Sequence, residues 1–408
     1  MAGTMVRMST RSTKTLGLLG DDPLIARIAA AARDRGWTIL AAHATTVPSA
    51  GRVAWTSFLD DAVCDAVLVG SDGWDAARAE AVRTLVQSGR PLVLAQPLEF
   101  SMVWAFELDM IARDSGARLV PALPDRLHPT IAALKGLVEA AAAGSGPLGP
   151  LESIRLERTL ADRSKQAVLA ALSRDADIIR VLVGDPGRVA TLGAGDPDSA
   201  WPTLAVGLTG PAQVPARWQV AAGRPEGLRI TLHHARGPIE VFAPEEPGPW
   251  TTTPPLAEPT PFDRGAALLD HLECVLGERP RPDSSAVPPA VWPDAARALE
   301  IAETVPRSLA RGRAIDLHHE EFSELGTFKG TMASLGCGLV LLALLLVVVA
   351  TLVAGISREI GWEFGTAIAN AWPVLVLVVL VLFLGLQVLP ALVGSEPREA
   401  RSDRPGPG

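Results

Sequence analysis

Between Leu16 and Val120 short apolar runs alternate with helix-like stretches, and this rhythm restricts what the chain can fold into more than any other feature. Leu16–Leu19 and Thr38–Ala42 read as strands around Pro23–Arg35, an alanine-rich segment with helical spacing. Ala66–Gly70 is a continuous apolar run of the kind shown by a strand buried on both faces. Asp75–Ser88 is an amphipathic helix stopped at Gly89, Pro91–Leu94 a strand, Phe100–Ser115 a helix and Arg118–Val120 a further strand. Strands and helices in strict alternation predict a doubly wound parallel sheet, a Rossmann-like α/β domain.

After Leu151 the pattern changes. LESIRLERTL, RVATLGAG, TLAVGLTG, ARWQVAA, LRITLHHA and PIEVFAP alternate apolar and polar residues and are separated by glycine and proline turns, which predicts an α+β domain with an antiparallel sheet. Helices are expected at Gln166–Val183, Asp263–Gly277 and Ala295–Leu309. The proline-rich stretches Pro244–Pro261 and Pro280–Pro293 read as packed loops or linkers rather than recognition motifs, since neither forms a clean P-x-x-P series.

A mean hydropathy of +0.25 is high for such a chain, and the excess lies at the C-terminal end. Residues 336–356 and 371–393 carry no charge, and each is long enough to cross about 30 Å of hydrocarbon. They predict a two-helix transmembrane hairpin, with Trp362 and Trp372 at the interface. Arg311, Arg313 and Lys329 before it and Arg398, Arg401 and Arg404 after it, against Arg358 between, predict an inner, cytoplasmic-membrane protein whose N-terminal domain and C-terminal tail are cytoplasmic. The expected division is an extension at 1–13, the Rossmann-like domain at 14–125, the α+β domain at 126–317, a juxtamembrane segment at 318–335, the spans at 336–356 and 371–393, and a disordered tail at 394–408.

The charge balance, 45 acidic against 37 basic side chains, speaks against a nucleic-acid partner. The lipid bilayer, through residues 336–393, is the expected partner, with a homo-oligomer or a protein partner at the membrane as a further one. Cys64, Cys274 and Cys337 lie far apart, without the pairing of a thiolate metal site, and His233 and His234 point to opposite faces of one strand, so no metal is expected. Tyrosine is absent, which excludes a phenolic acid from any mechanism. The G-K-[ST], H-E-x-x-H and G-x-S-x-G motifs are absent too.

The stretch from Asp65 to Ala140, which includes Ala95-Gln96-Pro97 and Arg126-Leu127-His128-Pro129, resembles the core of the Gfo/Idh/MocA oxidoreductases. Asp175–Pro186 (DADIIRVLVGDP) is similar to that family's D-x-D-x-x-R-x-x-x-G-x-P helix, and Phe262–Pro282 and Ala296–Leu317 look like its closing helices. The resemblance runs in order over residues 14–317 and implies a nucleotide-binding fold, an NAD(P) cofactor and hydride chemistry on a sugar-like substrate.

The positions that would carry that chemistry depart from the family. Where G-x-G-x-x-G is expected, the chain reads Gly20-Asp21-Asp22-Pro23-Leu24-Ile25: Gly20 matches, but Asp22 stands at the second glycine and Asp21 adds a charge. The same aspartates suit the N-cap of a helix that binds nothing. The second strand ends Ala41-Ala42-His43-Ala44, without the acidic residue that takes the ribose hydroxyls. By the resemblance, the family's E-K-P lysine becomes Gln96 before Pro97, and its D-x-x-x-H pair becomes Ala170 and Arg174, while Asp177 and Arg180 are kept. Neither alanine nor arginine serves as a general base at neutral pH. Gly20, Asp21, Asp22, Ser71, Gln96 and Pro97 would form the degenerate cofactor site, and His128 and Asp177 are candidates for the cleft, with an N-cap or packing role the alternative for His128. The expectation is a membrane-anchored, oxidoreductase-like pseudoenzyme that acts in scaffolding, sensing or partner binding. An active NAD(P)-dependent oxidoreductase on a sugar or polyol is the alternative.

Overall fold

The computed structural model describes residues 13–317 apart from 48–49, 194–200, 211–213, 257–260 and 281–286, and a few helical positions between 348 and 359. The chain divides into two compact units, residues 1–318 and 319–408. All strands and long helices described below belong to the first.

Its N-terminal part is a six-stranded parallel sheet. The strands are β1 (Thr15–Leu19), β2 (Thr38–Ala42), β3 (Gly51–Arg52), β4 (Ala66–Val69), β5 (Leu92–Leu94) and β6 (Leu119–Pro121), in the spatial order β3-β2-β1-β4-β5-β6. Every residue of β1, β4 and β5 is buried, because helices cover both faces of a parallel sheet. Those helices include α1 (Pro23–Asp34), α2 (Ala76–Gln87) and α3 (Met102–Ser115). The chain winds outward from β1 in one direction and returns to start β4 on the other side, so a crevice opens beyond the carboxyl ends of β1 and β4.

A helix α4 (Pro129–Ala142) leads to the second sheet, which α5 (Lys165–Val183) covers with Val168, Leu172, Ile179 and Leu182. The strands are β7 (Leu151–Thr159), β8 (Arg188–Leu192), β9 (Ala205–Thr209), β10 (Pro215–Ala221), β11 (Gly227–His234), β12 (Gly237–Pro244), β13 (Thr251–Thr253) and β14 (Ile315–Asp316). Their order is β13-β12-β11-β7-β10-β9-β8-β14. Helix α6 (Arg264–Val275) packs back on the first core, and α7 (Trp292–Arg311) contributes to both cores.

Two expectations are corrected. The second sheet is mixed rather than antiparallel, because β7 and β10 run parallel from Ile154↔Ala216 to Thr159↔Ala221, an arrangement that strand alternation alone does not reveal. The transmembrane hairpin is not supported: no helix among the described residues is long and apolar enough to cross a membrane. A span takes about 20 predominantly apolar residues, and α7, with 20 residues, carries Asp294, Arg297, Glu300, Glu303, Arg307 and Arg311. The two-span, cytoplasmic-membrane localisation loses its basis with it. The segments 336–356 and 371–393 themselves lie almost wholly outside the described residues, as do the juxtamembrane segment and the tail.

Candidate functional site

The crevice beyond β1 and β4 is built on two glycines. Gly20 follows β1 with φ +79°, a left-handed conformation that side chains disfavour. Gly70 follows β4, and a Cβ there would meet the Asp21 carbonyl oxygen at 2.4 Å, so the two loops touch backbone to backbone. Between them the Asp72 amide donates to the Asp21 carbonyl at 2.9 Å.

Both aspartates of this loop are engaged from within the protein. The Asp22 carboxylate accepts from the amides of Leu24 (2.8 Å) and Ile25 (3.2 Å), and so caps α1 and takes donors that a helix N-terminus offers to anions. Its other oxygen accepts from the Ser71 hydroxyl at 2.6 Å. The Asp21 carboxylate accepts from the amides and hydroxyls of both Thr45 and Thr46 at 2.6–2.9 Å, which pins the loop after β2. Partial burial works against the charge, but these hydrogen bonds prevail and hold its pKa down to about 2. His43 sits at the start of that loop, exposed, with φ 55°. From α2 the Arg78 guanidinium donates to the Asp72 carbonyl and lies where a Cβ on Gly20 would be, 2.9 Å from Nη1.

A second space opens between the two sheets, a cleft of about 140 Å³ walled by the start of α1, the loop after β6, β7, α5 and the start of α6. Arg174 and Asp177 line it, whereas Gln96, Ala170 and His128 do not. Gln96 turns its amide to the Ala295 carbonyl on α7, at 3.3 Å, beside half-buried Pro97. Ala170 is half-buried on α5. His128 is the N-cap of α4: its Nδ1 accepts from the Thr130 amide at 3.1 Å, and its ring stacks on Trp250 with centroids 3.9 Å apart. Burial pushes its pKa down to about 4, with Asp125 opposing and Arg264 adding to the shift, so it is neutral at pH 7. Asp177 is fully buried, and desolvation raises its pKa to about 6 although Arg126 lies at 3.2 Å and Arg180 at 3.7 Å.

Sequence reasoning missed the charge network around this cleft. On β7, buried Arg158 holds buried Asp175 through Nε at 2.9 Å and through a second bond from Nη2, and the same carboxylate accepts from the Trp218 indole at 2.8 Å. Glu245 pairs with the other arm of Arg158 at 2.8 Å. Asp294, on α7, joins Arg126 (2.8 Å) to Arg180 (3.0 Å). The available signal was Asp175 itself, a carboxylate directly beside apolar positions of an otherwise buried helix, which calls for a cation from elsewhere in the chain.

No family model matches the sequence, and no curated protein matches it. Solved structures do match. A myo-inositol dehydrogenase from Corynebacterium glutamicum aligns at 16% identity and TM-score 0.54, over 75% of this chain and 99% of that one. The WlbA dehydrogenase from Bordetella pertussis, in complex with NADH and UDP-GlcNAcA, aligns at 16% identity and TM-score 0.57, over 76% and 100%. An aldose-aldose oxidoreductase from Caulobacter crescentus, complexed with glycerol, aligns at 17% and 0.55, over 75% and 100%. The fold is that of the Gfo/Idh/MocA oxidoreductases.

Dinucleotide binding by the Gfo/Idh/MocA fold can be tested against this crevice. A pyrophosphate needs free amides at the start of α1 and close approach to glycine backbone. Here the amides of Leu24 and Ile25 already bond Asp22, Arg78 covers Gly20, and the loop after β2 offers Thr45 and Thr46, committed to Asp21, in place of a free carboxylate. The residues present do not fit the cofactor as arranged.

Proposed function

We propose that this chain is a Gfo/Idh/MocA-fold protein that works without redox turnover, a pseudoenzyme whose inter-domain cleft serves sensing or partner binding. The observation that carries this reading is the Asp22 carboxylate on the amides of Leu24 and Ile25, which places a negative charge where the dinucleotide pyrophosphate would have to sit. Two unit charges about 4 Å apart repel by roughly 1 kcal/mol in water and about 4 kcal/mol at an effective dielectric of 20, so the repulsion offsets one or two of the charge-assisted hydrogen bonds, about 1.5–3 kcal/mol each, that a pyrophosphate would gain there. The chemistry side agrees: Gln96 bonds to α7 rather than facing the cleft, and Arg174 stands where the resemblance puts the histidine.

The second reading is an active NAD(P)-dependent oxidoreductase on a sugar or polyol. It is favoured by the kept backbone frame, positive-φ Gly20 against Gly70, and by the NADH in the WlbA complex. Calorimetric titration of the full chain with NADH and NADPH at low salt separates the two. The pseudoenzyme reading expects no saturable heat up to millimolar cofactor for the wild type, and measurable binding only after Asp22→Gly frees the helix amides. Micromolar binding to the wild type, with turnover of a polyol, would overturn it in favour of the second reading.

A further inference from the structure

The cleft between the sheets has an uneven charge account. Three of the four carboxylates on its wall are ion-paired, Asp125 with Arg264 (2.6 Å), Asp177 with Arg126 (3.2 Å) and Glu245 with Arg158 (2.8 Å), while Asp22 keeps its charge and is hydrogen-bonded by two amides and Ser71. Two guanidiniums on the same wall, Arg27 from α1 and Arg174 from α5, have no ion pair among the described residues. Arg27 is half-buried, so part of its surface is withdrawn from water with no carboxylate to compensate. The two come from the two sheet layers, and only the folded cleft brings them to one space.

We propose that this cleft binds a compact oxyanion, a small carboxylate or phosphate group, between Arg27 and Arg174. This deepens the reading of the cleft as a sensing site and rests on it. A guanidinium presents a planar fork of donors that matches carboxylate and phosphate oxygens two at a time, which suits it to this class of ligand over a neutral sugar. Size sets the other limit. The cleft of about 140 Å³ admits inorganic phosphate or a short dicarboxylate and is below the range of about 300–1,000 Å³ typical of larger ligands. An occupant bound to both arginines would bridge α1 and α5 and thereby report its presence as a change in how firmly the two layers hold together.

The test uses the full chain with inorganic phosphate and malonate as separate probes, read by calorimetry and by thermal unfolding, with sodium chloride at matched ionic strength as the control. Saturable binding of at least one probe is expected, weakened about tenfold or more by Arg27→Ala and by Arg174→Ala, and unchanged by Arg229→Ala, whose side chain pairs with Glu240 on the surface. The stronger of the two probes identifies the phosphate or the carboxylate source. In the unmodified protein the same probe is expected to slow phenylglyoxal labelling of Arg27 and Arg174, a readout independent of how the variants fold. A chloride effect equal to that of both probes, or affinity unchanged in both cleft variants, would overturn the proposal. NADH enters neither arm, so a failure here is distinguishable from micromolar NADH binding, which overturns the pseudoenzyme reading.

Discussion

The ring of His128 gives its Nδ1 lone pair to the Thr130 amide and one face to Trp250, so a proton on Nδ1 breaks the cap that starts α4. Its pKa falls from 6.5 to about 4 on folding, which means that as pH drops the unfolded chain takes the proton first. The stability given by the neutral ring is therefore fully present above pH 6.5 and is lost as pH falls toward 4. His128→Asn keeps a capping side chain without a titrating ring. Urea unfolding at several pH values should show the wild type losing stability relative to this variant as pH drops through that window. Parallel curves for the two proteins would show that the ring does not titrate with folding. Asp177 acts with the opposite sign, since its raised pKa makes the folded state hold its proton up to about pH 6, and its contribution to stability falls as pH rises through that window.

Among the elements, α7 has the most demanding position. Its Trp292, Ala295, Ala296 and Leu299 belong to the core of the parallel sheet, while Ala298, Ile301, Ala302 and Val305 belong to that of the mixed sheet. The start of the helix is fixed by the Trp292 indole, which donates to the Ala105 carbonyl at 3.0 Å and packs edge-on against Trp104. Asp294 adds its bonds to Arg126 and Arg180, and although burial raises its pKa, the Val291 amide and these two arginines bring it below the ordinary carboxylate value. Leu299 is 3% exposed, so Leu299→Ala should remove about 2–5 kcal/mol from the unfolding free energy, measured by chemical denaturation. A loss within experimental error of zero would mean that α7 is not packed as described.

On the scale of the first unit, the two sheets share α7, the Arg126–Asp294–Arg180 bridge and the return of α6 onto the first core, and they are therefore expected to unfold together. Hydrogen exchange on the full chain checks this. The slowest amides of β4 and of β11 should report the same opening free energy, and Leu299→Ala should lower both by the same amount. Separate values, with only one lowered, would make the two sheets independent foldons. The cleft between them is then not a gap between loose domains but a wall of fixed charges, to which the proposed anion on Arg27 and Arg174 would add.

The sequence by itself determined the parallel sheet, because an apolar run such as Ala66–Val69 can satisfy its backbone and bury both faces in few other ways. Through the family resemblance it also put Asp22 at the second glycine's place, with Asp21 beside it as a further charge, and showed that Asp22 could cap α1. Periodicity is a local property, and local properties were legible. Only the tertiary structure decided what was paired at a distance: that Asp21 is spent on Thr45 and Thr46, that Arg158 meets Asp175 across a core, that Gln96 turns to α7, and that β7 and β10 run parallel. It also set Arg27 and Arg174, 147 positions apart in the numbering, on one cleft. Charges and hydrogen-bonding groups carry no period that would announce their partners, and their pairing follows from which backbones the packed cores bring within reach.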